Sequence, residues 1–370
     1  MQGSVSGEVG PKVKPGLSTF KTHPSDLKDF IKPLFIEAQN LVPQAQWAST
    51  PVHIKATAGM RLVTPEQERV IYDTIFAFLS TSPDVCPFSV SRGDLRTIDG
   101  KEEGYFGALS ANYLSGVISP ERAVIHADHG VLGALDLGGS STQVSLYTGG
   151  EPSAAVPLSP TNFFVHSYLG FGVEKMAEKY DAHFGASGLD PCAPPGFEVG
   201  PGRVGSGDYG RCKAALTEAL QLECGNQRRC VMDGVELPPV DPGSKFIGMS
   251  VYYFASRTVF AALAKAGEPS MSWPSPSLDE YRAAGERFCS MPWSKLAALA
   301  KEEGWERFMG DEPQRLVELP ERCRQAAYID LLLGSVFGVP AEKHNVMVSV
   351  RVRGPGHRTR ALTPCRHLGF

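Results

Sequence analysis

Three short stretches of this 370-residue chain combine residue types that could handle phosphate and water. The longest, Ala134-Leu135-Asp136-Leu137-Gly138-Gly139-Ser140-Ser141-Thr142-Gln143-Val144-Ser145-Leu146, reads as strand, tight turn, strand. An apolar approach from Val131 to Leu135 ends in a carboxylate, two glycines and three hydroxyls, and alternation resumes with Val144 and Leu146. The glycines let the backbone turn sharply and bring N–H groups close to a ligand. Successive N–H groups in such a turn form an anion-binding concavity, to which Ser140, Ser141 and Thr142 add donors. Asp136 stands where the strand ends, placed to hold a metal ion directly or through water. A plain hairpin turn is the alternative for these residues.

Glu102-Glu103, set between Gly100 and Gly104, is the second stretch. Hydrolysis of a phosphoanhydride needs a group that orients and deprotonates water, and a carboxylate suits that work. Adjacent glutamates are otherwise an ordinary solvated turn. Thr57 and Arg61 form the third. An arginine at a strand-to-helix turn can fork onto phosphate oxygens or brace a neighbouring loop, and its alternative is a structural carboxylate partner. His53, His126, His129 and His166 have no metal-like spacing, and the aromatic runs Phe163-Phe164 and Tyr252-Tyr253-Phe254 read as core. No GxSxG, HExxH, GxxxxGK[ST] or GxGxxG signature carries weight.

The elements that must position these residues alternate strand and helix in the first half. Leu27, Phe30, Ile31, Leu34, Phe35 and Ala38 follow helical spacing, interrupted by Pro33. Val52 to Ala56 alternates as a strand. Thr64 with Gln67 makes a capping box, with Pro65 at the first helical position of a helix carrying Val70, Ile71, Ile75, Phe76 and Leu79. Residues 86–99 read as strand and loop leading into the glycine-bounded 100–107, and Ala108 to Leu114 as a helix. Beyond Phe163 to Leu169 and a helix over Glu174 to Tyr180, residues 185–210 are Gly- and Pro-dense and read as loop or lobe boundary. Helices follow at Cys212 to Leu222, Val251 to Ala266, Leu278 to Phe288, Trp293 to Glu303 and Glu321 to Leu333.

Length allows two domains. Hydrophobic residues at 42%, charged residues at 21% and a net charge of −4 are ordinary for a soluble protein and give no case for nucleic acid or anionic membrane as partner. No apolar run is long enough to span a bilayer, and residues 1–15 contain no apolar signal-peptide core. Of eight cysteines, Cys86 and Cys365 stand apart; Cys192, Cys212, Cys224, Cys230, Cys289 and Cys323 crowd the second half without zinc-ligand spacing. A disulfide-stapled second lobe in an oxidising compartment is the expectation, with pairing left open.

The three stretches, in this order, resemble the apyrase family, the nucleoside tri- and diphosphate hydrolases that include ecto-NTPDases and Golgi nucleoside diphosphatases. Ala56 to Leu62 is similar to the family's second conserved region, Gly100 to Gly107 with Asn112-Tyr113-Leu114 to the third, and Ala134 to Val144 to the fourth; Pro15-Gly16-Leu17-Ser18, Phe163 to Gly172 and Cys323 to Leu333 also resemble family segments. The resemblance implies an α/β, two-lobed actin/Hsp70-like (RNase H-like) fold, with a phosphate-binding lobe over 1–170, a more helical, Cys-containing lobe over 171–340 and an atypical tail over 341–370. It implies Glu103 as the base that activates water and Ser141 and Gln143 as residues that hold that water. Gly138, Gly139, Ser140, Ser141 and Thr142 would cradle phosphate, Asp136 would bind Ca²⁺ or Mg²⁺ through water, and Thr57 and Arg61 would shape the phosphate site. The reaction would be in-line attack of water on the terminal phosphoryl group of a nucleoside di- or triphosphate.

Three departures from the family pattern stand out. The first conserved region, an Asp-Ala-Gly-Ser-type loop, has no counterpart, so the N-terminal lobe is expected to be incomplete. Ala108 stands where the family usually has Trp, and Val350-Arg351-Val352-Arg353 runs on without the expected Ser-Trp-Ala-type motif. The resemblance further implies a secretory-pathway setting, in the Golgi lumen or at the cell surface, and a membrane anchor in a longer form of the protein. The competing readings are a nucleotide-binding protein without turnover, and a sugar kinase or exopolyphosphatase on the same fold.

Overall fold

The computed structural model describes residues 15–119, 121–126, 130–150, 157–185, 187–225, 229–302 and 318–349, with the backbone of 351–352 and 360–361. Close packing divides the chain into two units, the first ending at Phe106 and the second beginning at Gly107. The sequence reading drew its division at 170. The hairpin that follows Val131 instead packs with the second unit, because its strands pair with strands from further along the chain.

In the first unit, helix α1 (Leu27–Leu41) continues through Pro33 and buries Leu27, Ile31 and Phe35. Strand β1 (Pro51–Ala56) is followed by helix α2 (Pro65–Thr81), whose Thr64 and Gln67 form the expected reciprocal cap. Strand β2 (Ser89–Thr97) returns parallel to β1, a strand–helix–strand unit closed over Ile54, Ile71, Ile75, Leu79 and Leu95. Helix α3 (Gly100–Leu114), which begins in the first unit and ends in the second, starts eight residues earlier than its sequence pattern suggests. The stretch 100–107 is its first two turns. The Asp99 carboxylate accepts from the Glu102 N–H (2.7 Å), and two glutamates suit the positive end of a helix.

The second unit is built on a five-stranded sheet. Strands β3 (Gly133–Leu137) and β4 (Ser141–Tyr147) form the expected hairpin, and β5 (Phe163–Leu169) extends it antiparallel. Helix α4 (Val173–Phe184) follows. Next come three strands of three residues, β6 (Gly188–Asp190), β7 (Glu198–Gly200) and β8 (Arg203–Gly205), where the sequence suggests only loop. Runs this short cannot display alternation. Helix α5 (Tyr209–Ala219) leads to β9 (Phe246–Ser250) and directly into α6 (Val251–Ala266). Helices α7 (Leu278–Cys289), α8 (Trp293–Lys301) and α9 (Glu321–Asp330) complete the helical part, and β10 (Val346–Val348) closes the sheet. The order is β10-β9-β3-β4-β5, with β9 parallel to both β3 and β10. Val346–Val348, expected as part of a tail, is thus a strand of the main sheet.

Three disulfides, Cys192–Cys212, Cys224–Cys230 and Cys289–Cys323, staple the second unit as expected, while Cys86 is a buried free thiol. Cys365 and His129 lie outside the described residues, as does most of the segment from Val350 onward. Among the described residues, no helix is long and apolar enough to cross a membrane.

Candidate active site

The turn between β3 and β4 is held from behind by the segment leading into α4. The N–H of Val173 donates to the Gly138 carbonyl (2.7 Å), those of Glu174 and Lys175 to the Gly139 carbonyl (2.9 and 3.3 Å), and that of Gly170 to the Ser140 carbonyl (2.8 Å). In a trans peptide the N–H points opposite to the C=O of the same plane. With these carbonyls taken by α4 and its approach, the N–H groups of Gly139, Ser140 and Ser141 are turned the other way. The Gly138 N–H closes the hairpin onto the Ser141 carbonyl (2.9 Å). Gly139 and Ser140 remain partly exposed, whereas Gly138 and Ser141 are buried. Successive amides pointing out of a turn are the donor set that an anion requires.

Gly172 makes this close approach possible. A Cβ there would overlap the Gly139 carbonyl, and its φ of −74° shows that space, not backbone freedom, demands glycine. The sequence pattern did not single out Gly172, because nothing local distinguishes it from an ordinary helix N-cap.

Strand register places the polar side chains of the hairpin on one face. Asp136 lies opposite Gln143, and Gln143 opposite Ser167, forming a row across β3, β4 and β5. The Gln143 amide donates to the hydroxyls of Ser141 (2.6 Å) and Ser167 (2.8 Å). Ser167 was not among the expected site residues; it lies 24 residues from Gln143 in the chain and meets it only through the pairing of β4 with β5. Thr142 points to the opposite face, and its hydroxyl donates to the Asp136 carbonyl (2.9 Å), tying the strands together at the turn. That opposite face, with Leu135, Leu137, Val144, Leu146 and Tyr168, joins the main core. The strand period of two therefore separates one polar row from one apolar row.

In the first unit the structure brings Arg61 and Glu103 together. Arg61 sits in the single helical turn Met60–Leu62 after β1, and its Nη2 donates to Glu103 Oε2 at 2.6 Å. Their side chains are 14% and 7% exposed. Thr57 is also buried, and its carbonyl accepts from the Met60 N–H (3.0 Å). Gly59 lets Ser18 approach so closely that a Cβ would meet its hydroxyl at 2.8 Å, which joins the Pro15–Ser18 stretch to this turn. Glu102 turns elsewhere, accepting from both Nη1 and Nη2 of Arg96 on β2, and its side chain is 28% exposed. The Arg96 hydrogen bond holds the Glu102 carboxyl below its ordinary range. Two adjacent glutamates thus have different partners and different burial.

Two of the histidines have structural partners: His53 lies 3.0 Å from Asp94, and His166 packs edge-on against Tyr168. Ser250 is a further residue the sequence did not reveal. It ends β9 beside Leu137 and has φ 57° and ψ −122°, a conformation rare outside glycine. Among the described residues, no three His, Cys, Asp or Glu side chains cluster as a metal cage. A hard cation that keeps several waters and takes the rest of its oxygens from phosphate needs only one or two carboxylates, and Asp136 at the strand end fits that type of site.

A mixed α/β chain with a glycine–hydroxyl turn on its central hairpin is built as the actin/Hsp70-like nucleotide phosphatases are. The solved nucleoside triphosphate hydrolase of Neospora caninum shares this fold with a TM-score of 0.57 at 15% identity, over 93% of this chain and 75% of that one. The chain matches the GDA1/CD39 (nucleoside phosphatase) family over residues 6–355 and belongs to it. It is similar to the Golgi apyrase of Saccharomyces cerevisiae, 32% identical over 78% of this chain and 50% of that protein. It is also similar to the nucleoside-diphosphatase mig-23 of Caenorhabditis elegans, 26% identical over 92% of this chain and 66% of that protein. Ectonucleoside triphosphate diphosphohydrolase 8 of Gallus gallus is 28% identical over 89% of this chain and 69% of that protein. The chain therefore spans half to about two-thirds of the length of these relatives.

Proposed function

We propose that this chain hydrolyses the terminal phosphate of nucleoside di- or triphosphates by direct attack of water, with Glu103 as the base. The supporting observation is the β3–β4 turn, whose carbonyls are taken by α4 and its approach, so that the amides sharing those peptide planes point the opposite way, as a phosphate cradle requires. In this reading Gly138, Gly139, Ser140, Ser141 and Thr142 form the cradle. The Ser141 hydroxyl and the Gln143 amide, already hydrogen-bonded to each other, orient the attacking water. Glu103 takes the water's proton as the bond to phosphorus forms, and the leaving phosphate oxygen keeps the electron pair of the broken P–O bond. Ca²⁺ or Mg²⁺, held through Asp136, would neutralise charge developing on the phosphate oxygens. Thr57 and Arg61 complete the base's surroundings. The disulfides support work in an oxidising lumen or outside the cell, in line with a secretory-pathway location.

The test is phosphate release from ATP, GDP and UDP by the 370-residue chain with Ca²⁺, Mg²⁺ or EDTA, repeated with Glu103→Gln. Metal-dependent release that falls about 100-fold or more in the variant supports the reading, since the amide keeps the shape and cannot take a proton. Nucleotide binding without release would instead favour a binding protein. Undiminished release by Glu103→Gln would remove Glu103 from the role of base.

A further inference from the structure

The Arg61–Glu103 pair offers a role for Arg61 different from the phosphate contact its position in the sequence suggests. Its Nη2 lies 2.6 Å from Glu103 Oε2, and both side chains are nearly enclosed. A charge-assisted bond of this length fixes the carboxylate's position as well as its charge partner. The arginine itself is anchored by its turn, where the N–H groups of Met60, Arg61 and Leu62 donate to the carbonyls of Thr57, Ala58 and Gly59. Glu102, one residue away, shows the contrast. It has its own arginine, Arg96, and is four times more exposed, so the two glutamates pair with different arginines.

We infer that Arg61 is a positioning residue for the base: it acts on the reaction through Glu103 and not by binding phosphate. The inference rests on the reading of Glu103 as the base. A general base must sit within hydrogen-bond reach of the proton it takes, and a misplacement of about 1 Å can cost about 100-fold in rate. Losing the guanidinium therefore lowers kcat and leaves substrate affinity in place, whereas losing a phosphate contact raises KM.

The experiment is a double-mutant cycle on the 370-residue chain with Arg61→Met, Arg61→Lys, Glu103→Gln and Arg61→Met/Glu103→Gln, reading kcat and KM for phosphate release, nucleotide affinity by calorimetry, and melting temperature. Arg61→Met is expected to lower kcat about 100-fold with KM changed less than about 3-fold. Arg61→Lys, which keeps one cationic donor, is expected to recover about 10-fold of that loss. In the Glu103→Gln background, Arg61→Met is expected to change neither residual kcat nor nucleotide affinity, because residues acting as a unit are not additive. A raised KM with unchanged kcat, a full additional loss in the double variant, or no recovery with lysine would overturn the inference. If Arg61→Met does not fold, Arg61→Lys decides: reduced kcat at unchanged KM supports positioning, and raised KM overturns it. Full activity of Glu103→Gln, or no release by the unmodified chain, would overturn the base reading itself and would be recognised before any Arg61 variant is considered.

Discussion

Asn112 and Leu132 are joined through both polar atoms of the asparagine amide. Nδ2 donates to the Leu132 carbonyl and Oδ1 accepts from the Leu132 N–H, each at 2.8 Å, and Nδ2 also reaches the Ala108 carbonyl at 2.8 Å. One side chain thereby does for the approach to β3 what a neighbouring strand would do. Asn112 is fully buried, and the Leu132 N–H and carbonyl are both paired through it. Asn112→Leu keeps the volume and leaves buried donors and acceptors unmet, at about 1–3 kcal/mol each. We expect a loss of about 3 kcal/mol in urea unfolding, with Asn112→Asp recovering only the bond from the Leu132 N–H.

Gly172→Ala tests whether the turn's geometry depends on contact from behind. The new methyl overlaps the Gly139 carbonyl, so either the β3–β4 turn or the start of α4 must move. Phosphate release is expected to fall about 100-fold or more, the cost of displacing binding groups by about 1 Å, while the far-ultraviolet dichroism stays that of the parent. Retained activity would mean that the turn can shift without losing its donors.

How far such features were readable in advance varies with their range. The β3–β4 hairpin was legible because alternation, two glycines and three hydroxyls all lie within one short segment. The boundaries of α6, Val251 to Ala266, were legible from the sequence, and in the structure Gly267 closes the helix in the left-handed cap conformation. The start of α3 was not, since its glycines at 100, 104 and 107 argue for a loop while the Asp99 cap and helical packing prevail. Gly107 in particular fits because the helix lies against Met249, 3.2 Å from where a Cβ would stand. β9 and β10 were missed because Phe246–Ser250 and Val346–Val348 are short and gain their strand character from parallel neighbours far away in the chain. The same limit hid Ser167 and Gly172, whose importance lies in what they touch.

Ser250 carries a testable cost. A non-glycine residue at φ 57° and ψ −122° is destabilised by about 1–3 kcal/mol. Glycine relieves that strain and gives back part of it, about 0.4–1 kcal/mol, as unfolded-chain entropy. Ser250→Gly is expected to raise stability by about 1 kcal/mol, read as a higher urea midpoint, and Ser250→Val to lower it. A serine that stays despite this cost, and whose hydroxyl makes no cap hydrogen bond to α6, would reveal a use at the site if Ser250→Gly also weakened nucleotide binding.

The Arg96–Glu102 pair sets an acid dependence of known sign. The hydrogen bond and charge of Arg96 hold the Glu102 carboxyl below its ordinary 4.5, with burial opposing. A carboxyl depressed in the folded state contributes stability that is present above its unfolded value and lost as pH falls through the folded one. Arg96→Met should therefore destabilise the chain at about pH 7 and have little effect at about pH 3, a difference measured by thermal melts at the two pH values. An equal effect at both would assign Arg96 to packing alone.

Cys86 and the three disulfides occupy different units, and their chemistry differs as much as their location. Burial holds the Cys86 thiol protonated by raising its pKa, and a protonated, enclosed thiol is a poor attacker in disulfide exchange. Once the second unit has oxidised, the described part of the folded chain therefore holds no thiol able to reshuffle its bridges. The chain can mature through a stage in which its cysteines are sorted by an outside catalyst, and then keep that pairing for as long as Cys86 stays covered.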